Sequence, residues 1–390
     1  MAFDLDKIQR ELAAQKLDGW LFFDHHHRDP LAYRVLGLPP RMATRRWYYL
    51  IPAQGEPAGL EHRVEPGMLA SLPGDKIPYS SWTEQVDALR RLLSGQRRVA
   101  MQYSPQCAIP YVAMVDAGTV ELIRSLGVEV VSSAELIQYF EARWTPAALE
   151  THLEAGRRVD RVRAAAFDLI RERTRNGVPL QEVEVQRFIR EGFAKAGMIT
   201  DHGPIVAVNG NASNPHYEPS AELSSPIAGG DFVLLDMWAK LDQADAVYYD
   251  ITWTGFCGGA PTDEMRNVFA VVTGARDAAI ARVQDAVNAR RALCGYEVDD
   301  AARGFIQSRG FGEYFTHRTG HSIGTEVHGN GANMDNLETH DERRVSPWTC
   351  FSIEPGVYLP KFGVRSEINM FVGDKEARVT GEMQRDLLLL

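Results

Sequence analysis

Three histidines and two glutamates in the last quarter of the chain have the types and spacing of a metal or acid–base site. His317, His321 and His328 follow one another at intervals of four and seven residues. Glu354 and Glu367 each lie in a short, β-prone apolar run. Because side chains alternate between the faces of a strand, a lone carboxylate there either faces solvent or occupies a polar site inside the protein. We expect this stretch to form half of a metal site.

The other half is predicted earlier in the chain, where two aspartates lie in successive apolar runs. Asp236 ends the run FVLLD, and Asp250 lies inside VYYDITW. Aspartate is depleted in strands and is seldom buried without a partner. If the runs pair as a hairpin around the polar segment 240–244, both carboxylates reach one face when the register permits. Adjacent carboxylates repel, so the pair needs protons, cations or a metal ion.

The combined set of four carboxylates and one imidazole indicates the kind of metal. Oxygen-rich sites suit hard divalent cations, unlike the thiolate or histidine cages of structural zinc. Such a set fits two ions such as Mn²⁺ or Co²⁺. A pair about 3.5–4 Å apart lowers the pKa of a shared water and stabilises a developing oxyanion. The HExxH motif of single-zinc proteases does not occur in the sequence.

Composition and charge restrict the class of protein. The chain has 390 residues, of which 45% are hydrophobic and 24% charged, which is typical of a globular protein with two domains. A net charge of −10 argues against nucleic acid or an anionic membrane as partner. No apolar run approaches the roughly eighteen residues of a membrane span, and the N-terminal pattern is an amphipathic helix rather than a signal peptide. The four cysteines form no CxxC pair, so we expect a cytoplasmic protein and interpret them as small buried hydrophobic residues.

The first region, 1–143, predicts an α/β layer structure. Short apolar strands alternate with helical patterns at about 82–94 and 110–126. Three consecutive histidines at 25–27 follow the first strand and could in principle hold a metal. Neighbouring side chains on a strand cannot converge on one ion, so a polar loop is favoured there.

The second region, 144–390, begins with a long predicted helix. Thr145 is the predicted N-cap and Pro146 the first residue of a helix that continues to about Asn176. Further helices are expected at about 181–197, 263–290 and 298–309, with strands between and after them. Because helices and strands arrive in blocks, this larger domain is predicted to be α+β.

These residues resemble the pita-bread metallopeptidases, the family of prolidase, aminopeptidase P, methionine aminopeptidase and creatinase. The matching segments are DITWT at 250–254 (similar to DITRT), GHSIG at 320–324 (GHGIG), SIEPG at 352–356 (TIEPG) and VRSE at 364–367 (VRIED). The resemblance implies a pita-bread catalytic domain preceded by a smaller α/β creatinase-type domain. It implies two divalent ions, Mn²⁺ first and Co²⁺ or Zn²⁺ as alternatives, and these metal ligands: Asp236, Asp250, His321, Glu354 and Glu367.

The resemblance also implies catalytic residues around the ligands: His216, His317, His328, Glu354, Tyr358 and Arg365. In the implied reaction, water attacks the carbonyl of an Xaa-Pro bond, Glu354 handles the proton, and His216 and His328 stabilise the oxyanion. The chain departs from the family pattern in the spacing of its two aspartates, which is three residues longer than usual. It also departs at single positions, with Trp253 in place of an arginine, and Gly329 and Ile368 in place of acids.

Cationic side chains that could bind a substrate carboxylate predict the length of the preferred peptide. A dipeptidase must bind the free carboxylate of its substrate, and His317, Arg365 and the cluster His340, Arg343 and Arg344 are the candidates. They favour an Xaa-Pro dipeptidase over an aminopeptidase P acting on longer peptides, although the cluster could equally be a cationic surface loop. A creatinase-like amidinohydrolase or a non-catalytic binding protein would not need all five ligands. A homodimer is expected from the resemblance.

Overall fold

The computed structural model describes residues 3–39 and 43–390. Their contacts divide the chain into two compact units, one ending at Glu141 and one beginning at Ala142. The sequence prediction divided the chain two residues further on. Among the described residues, no helix combines the length and apolarity needed to cross a membrane.

The described part of the N-terminal unit is a six-stranded sheet with helices on both faces, in the order β4-β3-β2-β1-β5-β6. Its helices are α1 (Leu5–Ala14), α2 (Pro30–Leu36), α3 (Trp82–Leu92), α4 (Ala117–Ser125) and α5 (Ala134–Glu141). Its strands are β1 (Gly19–Asp24), β2 (Trp47–Pro52), β3 (Ala58–His62), β4 (Asp75–Tyr79), β5 (Arg98–Met101) and β6 (Glu129–Ser132). In β1, Trp20 and Phe22 pack with α1, α2 and α5, whereas Leu21 and Phe23 pack with α3 and α4. The period-two alternation of the strand therefore builds both hydrophobic layers.

The helix predicted at 110–126 is wrong in its first part. Pro110–Val112 is a single 3₁₀ turn, and α4 begins only after Asp116. Asp116 has extended backbone angles, and its carboxylate accepts a hydrogen bond from the N–H of Thr119 at 2.9 Å. This is an N-cap, and a continuous helix cannot pass through it.

The interpretation of all four cysteines as buried is also wrong. Cys257 and Cys350 are buried, but Cys294 is only half-buried and Cys107 is exposed. Cys107 ends the short 3₁₀ helix Pro105–Cys107, none of whose residues is buried. None of the four cysteines forms a disulfide.

The C-terminal unit contains the strands that carry the predicted ligands. Its helices are α6 (Pro146–Arg175), α7 (Glu182–Lys195), α8 (Asp263–Asn288) and α9 (Gly295–Ser308). Its strands are β7 (Met198–Ile199), β8 (Ile205–Val208), β9 (Phe232–Leu241), β10 (Tyr249–Phe256), β11 (Ser322–Ile323), β12 (Thr349–Ile353), β13 (Gly356–Leu359), β14 (Phe362–Arg365), β15 (Ile368–Val372), β16 (Ala377–Thr380) and β17 (Leu388–Leu389). Thr145 caps α6 through a hydrogen bond from the N–H of Ala148, so the predicted start of this helix is confirmed.

Hydrophobic packing fixes which way the β9–β10 hairpin faces. Odd-numbered residues of the hairpin, among them Leu235, Met237 and Ile251, are buried in one cluster with residues of α6 and α7. Alternation along each strand therefore turns the even-numbered residues to the opposite face. That face carries the two predicted aspartate ligands.

A buried histidine behind the hairpin gives the fold a defined pH response. His152 of α6 is fully buried, with Nδ1 2.6 Å from the Tyr248 carbonyl oxygen and Nε2 2.6 Å from Thr380 Oγ1. Burial lowers its pKa to about 4. In the unfolded chain a histidine has a pKa near 6.5, which is about 2.5 pH units higher. The folded state therefore has its full stability above about pH 6.5. It loses stability as the pH falls towards 4, because the unfolded state takes up the proton first.

When the pH is lowered from about 6.5 to about 4.5, we therefore expect the free energy of unfolding of His152→Gln to fall by about 2 kcal/mol less than that of the wild type. At about pH 7.5 the variant should be the less stable protein, because its two buried hydrogen bonds are disturbed. Urea unfolding at several pH values measures both effects. His340→Gln, at an exposed position, is the control and should keep the wild-type pH dependence. An unchanged pH dependence in His152→Gln would contradict the expectation.

Candidate metal centre

The two predicted aspartates share one face of the β9–β10 hairpin. Asp236 pairs with Thr252, and Asp250 pairs with Trp238, so all four side chains lie on the same side of the sheet. This is the register that the sequence prediction required. Strand β9 takes in the first two residues of the predicted turn and ends at Leu241. The longer connection lies beyond that end and does not disturb the pairing of the aspartates.

His321 and Glu354 are joined through a serine. His321 directly precedes β11, which pairs with β12, and its N–H donates to Ser352 Oγ at 2.9 Å. The same hydroxyl donates to Glu354 Oε1 at 3.0 Å. The N–H of Glu354 donates to the carbonyl oxygen of Thr319 at 2.7 Å. These bonds hold the imidazole and the carboxylate side by side.

Glu367 is fixed to the hairpin by Thr252. The N–H of Glu367, between β14 and β15, donates to the Thr252 carbonyl oxygen at 3.1 Å. The Thr252 hydroxyl in turn donates to Glu367 Oε2 at 2.8 Å. Since Thr252 is on the same strand face as Asp250, these bonds bring the glutamate next to the aspartate.

Four of the five predicted ligands converge. His321 Nε2 lies 3.5 Å from Asp250 Oδ2 and 3.4 Å from Glu354 Oε1. Asp250, His321 and Glu367 each offer a potential ligand atom, and these three atoms lie within 4.8 Å of one another. Side chains far apart in the sequence thus form one buried acidic cluster around an imidazole.

The fifth predicted ligand, Asp236, is bound by Arg365. The guanidinium donates to Asp236 Oδ2, to Thr252 Oγ1 at 3.0 Å and to Tyr358 Oη at 3.2 Å. His317 Nε2 lies 2.6 Å from the same tyrosine hydroxyl. Three of the predicted catalytic residues therefore form one hydrogen-bonded network that ends on Asp236.

Burial governs the electrostatics of the cluster. It raises the pKa of Asp236 to about 6 and that of Asp250 to about 7. It also raises the pKa of Glu354 and of Glu367, to which the neighbouring carboxylates add, and it lowers the pKa of His321. The Oδ1 atom of Asp250 is buried and has no hydrogen-bond partner among the described residues. A divalent cation would supply the missing charge and a partner for this oxygen, so the donor set fits a metal.

The two remaining predicted histidines have different surroundings. His328 is exposed on the loop after β11, and its ring centroid lies 4.3 Å from that of His321. The neighbouring His321 lowers the pKa of His328. His216 is exposed on the turn after the 3₁₀ helix Asn209–Ser213, where its N–H donates to Asn214 Oδ1 at 3.1 Å. Among the described side-chain contacts, His328 and not His216 touches a predicted ligand.

The three cations predicted to bind the substrate carboxylate also differ. Arg343 is buried and paired with Asp341, its Nε lying 2.9 Å from Oδ1. His340 is exposed, and its ring packs on Tyr296 with centroids 4.3 Å apart. Arg344 is exposed. The buried ion pair gives Arg343 a structural role, and substrate binding by the three residues stays a prediction.

Sequence reasoning missed three residues that position the ligands: Thr252, Ser352 and Asn369. Asn369 Oδ1 accepts a hydrogen bond from the N–H of Asp250 at 3.1 Å, and the other two make the contacts described above. Each stands two positions from a predicted ligand in or beside a strand, which places it on the same face. Polar residues at that spacing were the signal that could have identified them.

The segment 320–324 also fits the G-x-S-x-G pattern of serine hydrolases, in which the serine occupies a strand-to-helix turn. Ser322 instead lies in β11 and is buried. Its hydroxyl accepts a hydrogen bond from the N–H of Gly331 at 3.0 Å. The match therefore provides no exposed nucleophile.

We expect Thr252→Val to lower metal affinity and turnover about 10–100-fold, since it removes the hydroxyl between Arg365 and Glu367. Metal titration and steady-state kinetics measure the two effects. Thr254→Val is the matched control, because the Thr254 hydroxyl is buried on the same strand face without a hydrogen-bond partner among the described residues. Equal losses in both variants would contradict a specific role for Thr252.

Comparison with known proteins agrees with this geometry. The sequence profile of metallopeptidase family M24 matches residues 150–374. The Xaa-Pro dipeptidase of Lactobacillus delbrueckii subsp. lactis is 36% identical over 208 residues, which cover 52% of this chain and 50% of that protein. The chain spans about half the length of the curated relatives it matches here.

Two solved structures share the fold over nearly the whole chain. Dipeptidase PepE from Mycobacterium ulcerans has a TM-score of 0.69 at 22% identity, covering 100% of this chain and 99% of its own. The X-prolyl aminopeptidase of Caenorhabditis elegans, described as a cytosolic enzyme with a di-nuclear active site, has a TM-score of 0.61 at 17% identity, covering 98% and 63%. The predicted pita-bread unit, with a smaller α/β unit before it, is confirmed. The chain belongs to metallopeptidase family M24.

Proposed function

We propose that this protein hydrolyses the Xaa-Pro bond of dipeptides. The observation that carries the proposal is the buried convergence of Asp250, His321 and Glu367, whose ligand atoms lie within 4.8 Å of one another. Membership of family M24 and the 36% identity to an Xaa-Pro dipeptidase support the same activity.

The proposed cofactor is a pair of divalent metal ions. We assign as ligands the five predicted residues: Asp236, Asp250, His321, Glu354 and Glu367. Their carboxylate-rich set favours hard cations, so we propose Mn²⁺ ahead of Co²⁺ or Zn²⁺. When bound, the ions would supply a water of lowered pKa and positive charge for the developing oxyanion. The di-nuclear active site of the Caenorhabditis elegans enzyme supports the number two.

The chain's own residues supply proton transfer and positioning. Burial raises the pKa of Glu354, and Ser352 Oγ orients its carboxylate, so Glu354 is the proposed acceptor of the proton that the attacking water loses. His328 and His216 are the proposed donors to the oxyanion. The proline nitrogen leaves after it is protonated.

A second group of residues is proposed to act at the substrate end of the site. Arg365 holds Tyr358, and Tyr358 holds His317, in a network that lies next to Asp236. We assign these three residues to positioning the substrate. His340, Arg343 and Arg344 are retained as proposed contacts of its carboxylate.

Aminopeptidase P activity on longer Xaa-Pro peptides is the second candidate. The observation that favours it is the buried Arg343–Asp341 pair, which removes one of the cations proposed to hold a dipeptide carboxylate. His340 and Arg344 are exposed, so a carboxylate clamp would depend on them.

Metal analysis and peptide assays test the proposal. Purified protein loaded with Mn²⁺ should bind two ions per chain and cleave Ala-Pro faster than Ala-Pro-Ala, while leaving Ala-Ala intact. Faster cleavage of the tripeptide would favour aminopeptidase P activity over dipeptidase activity. Absence of hydrolysis with all metals and both proline peptides would overturn the proposed function.

The cell compartment and assembly are further proposals. Four cysteines without a disulfide suit a reducing compartment, which supports a cytoplasmic enzyme. The family resemblance supports a homodimer. Light scattering of the purified protein should give twice the monomer mass, and a monomer at micromolar concentration would exclude the dimer.

A further inference from the structure

Asp201 and His202 lie beside the candidate metal centre, on the link between β7 and β8. In β7, Ile199 pairs with Lys240 of β9, and β8 begins with Ile205 opposite Asp236. The link 200–204 therefore passes alongside Trp238, on the edge of β9 away from β10.

Trp238 connects this link to the centre. Its Nε1 donates to Asp201 Oδ1 at 2.7 Å, and His202 Nδ1 lies 2.8 Å from the same oxygen. The His202 ring also meets the Trp238 ring edge-on, with centroids 5.2 Å apart. On its other side Trp238 pairs with Asp250. Asp201, Trp238 and Asp250 thus form a row across the sheet.

The spacing of the strands gives the distance between Asp201 and Asp250. Neighbouring strands are about 5 Å apart, so Asp201 lies roughly 10 Å from Asp250. The carboxylate side chain remains 47% exposed, so a ligand can reach it.

We propose that Asp201 binds the cationic side chain of a lysine or arginine at the first position of the substrate, an inference that rests on the proposed Xaa-Pro hydrolysis. The α-ammonium group of that residue is one carbon from the scissile carbonyl, too close to the centre to reach two strands away. A lysine side chain has a flexible four-carbon stem, and an arginine side chain is longer.

A lysine on the same face does not compete for this carboxylate. Lys240 Nζ donates to the Thr325 carbonyl oxygen at 2.7 Å and lies 5.0 Å from the centroid of the Tyr248 ring. Asp201 Oδ1 already accepts from Trp238 and His202. Oδ2 remains open for a substrate cation among the described residues.

The test is Asp201→Asn, which keeps an oxygen for the Trp238 hydrogen bond and removes only the charge. The probes are Lys-Pro and Leu-Pro analogues in which a methylene replaces the scissile carbonyl, titrated by calorimetry into the metal-loaded proteins. We expect the lysine analogue to bind about three- to tenfold more weakly to the variant, and the leucine analogue to bind equally to both. kcat/KM for Lys-Pro should fall by the same factor in the variant, and kcat/KM for Leu-Pro should stay unchanged.

Asp242→Asn is the matched control, since Asp242 is an exposed acid at the end of the same hairpin and outside the row. Its substitution should leave both affinities unchanged. Equal binding of the lysine analogue to wild type and Asp201→Asn, or an equal loss for both analogues, would overturn the role of Asp201. Binding of neither analogue to the wild type would also overturn it. Failure of the proposed function has a different signature, in which the analogues bind but no Xaa-Pro peptide is cleaved.

Discussion

Replacing Asp250 with asparagine is expected to abolish turnover and to lower the bound metal. The carboxylate is buried, its Oδ1 has no hydrogen-bond partner among the described residues, and Oδ2 lies 3.5 Å from His321 Nε2. An amide cannot supply the negative charge that a divalent ion needs. Loss of metal stabilisation worth several kcal/mol corresponds to a fall in kcat of about a thousandfold or more. Glu367→Gln should behave in the same way.

Surface variants of the same chemistry separate this effect from general damage. Asp242→Asn and Glu376→Gln remove exposed carboxylates near the same strands, and both should retain full activity and metal content. Kinetics and elemental analysis on one set of preparations give the comparison. Wild-type activity in either Asp250→Asn or Glu367→Gln would refute the ligand assignment.

Removing the metal is expected to stop catalysis and to lower thermal stability. Without cations, the site contains four carboxylates of raised pKa and one imidazole whose pKa is lowered. A site held at a thousand times its Kd contributes about 4 kcal/mol to the folded state. For a domain of this size each kcal/mol shifts Tm by about 2–4 °C, so exhaustive chelation should lower Tm by about 8 °C or more.

Calorimetry with and without a chelator measures the shift, and added Mn²⁺ should restore both Tm and activity. Asp250→Asn serves as the internal control, because a protein that has lost its metal affinity should show little response to the chelator. An unchanged Tm after the wild type has been stripped of metal would show that the cluster holds no tightly bound ion.

The parts of the fold that follow from hydrophobic alternation could be predicted from the sequence. The β9–β10 hairpin is an example, since its odd-numbered side chains must face α6 and α7 and so turn Asp236 and Asp250 the other way. The start of α6 follows from Thr145 and Pro146, whose capping chemistry is local. Alternation alone does not group His321, Glu354 and Glu367 with the aspartates, because pairing between distant strands is not encoded in any short segment. The residue types suggested this grouping, and the family resemblance supported it.

Other features depend on contacts that no local pattern reveals. The buried pairing of Arg343 with Asp341 is one, because a cationic cluster on a loop has the same local sequence whether it is free or paired. The late start of the helix predicted at 110–126 is another, since Asp116 is equally compatible with a helix interior and with a cap. The hydrogen bond from Trp238 to Asp201 is a third, because the two residues are far apart in the sequence.

The most direct test of the metal centre is anomalous diffraction from a crystal soaked in Mn²⁺. We expect two strong peaks enclosed by the carboxylates of Asp236, Asp250, Glu354 and Glu367 and next to Nε2 of His321. A map without peaks there, with Asp250, His321 and Glu367 turned apart, would contradict this expectation.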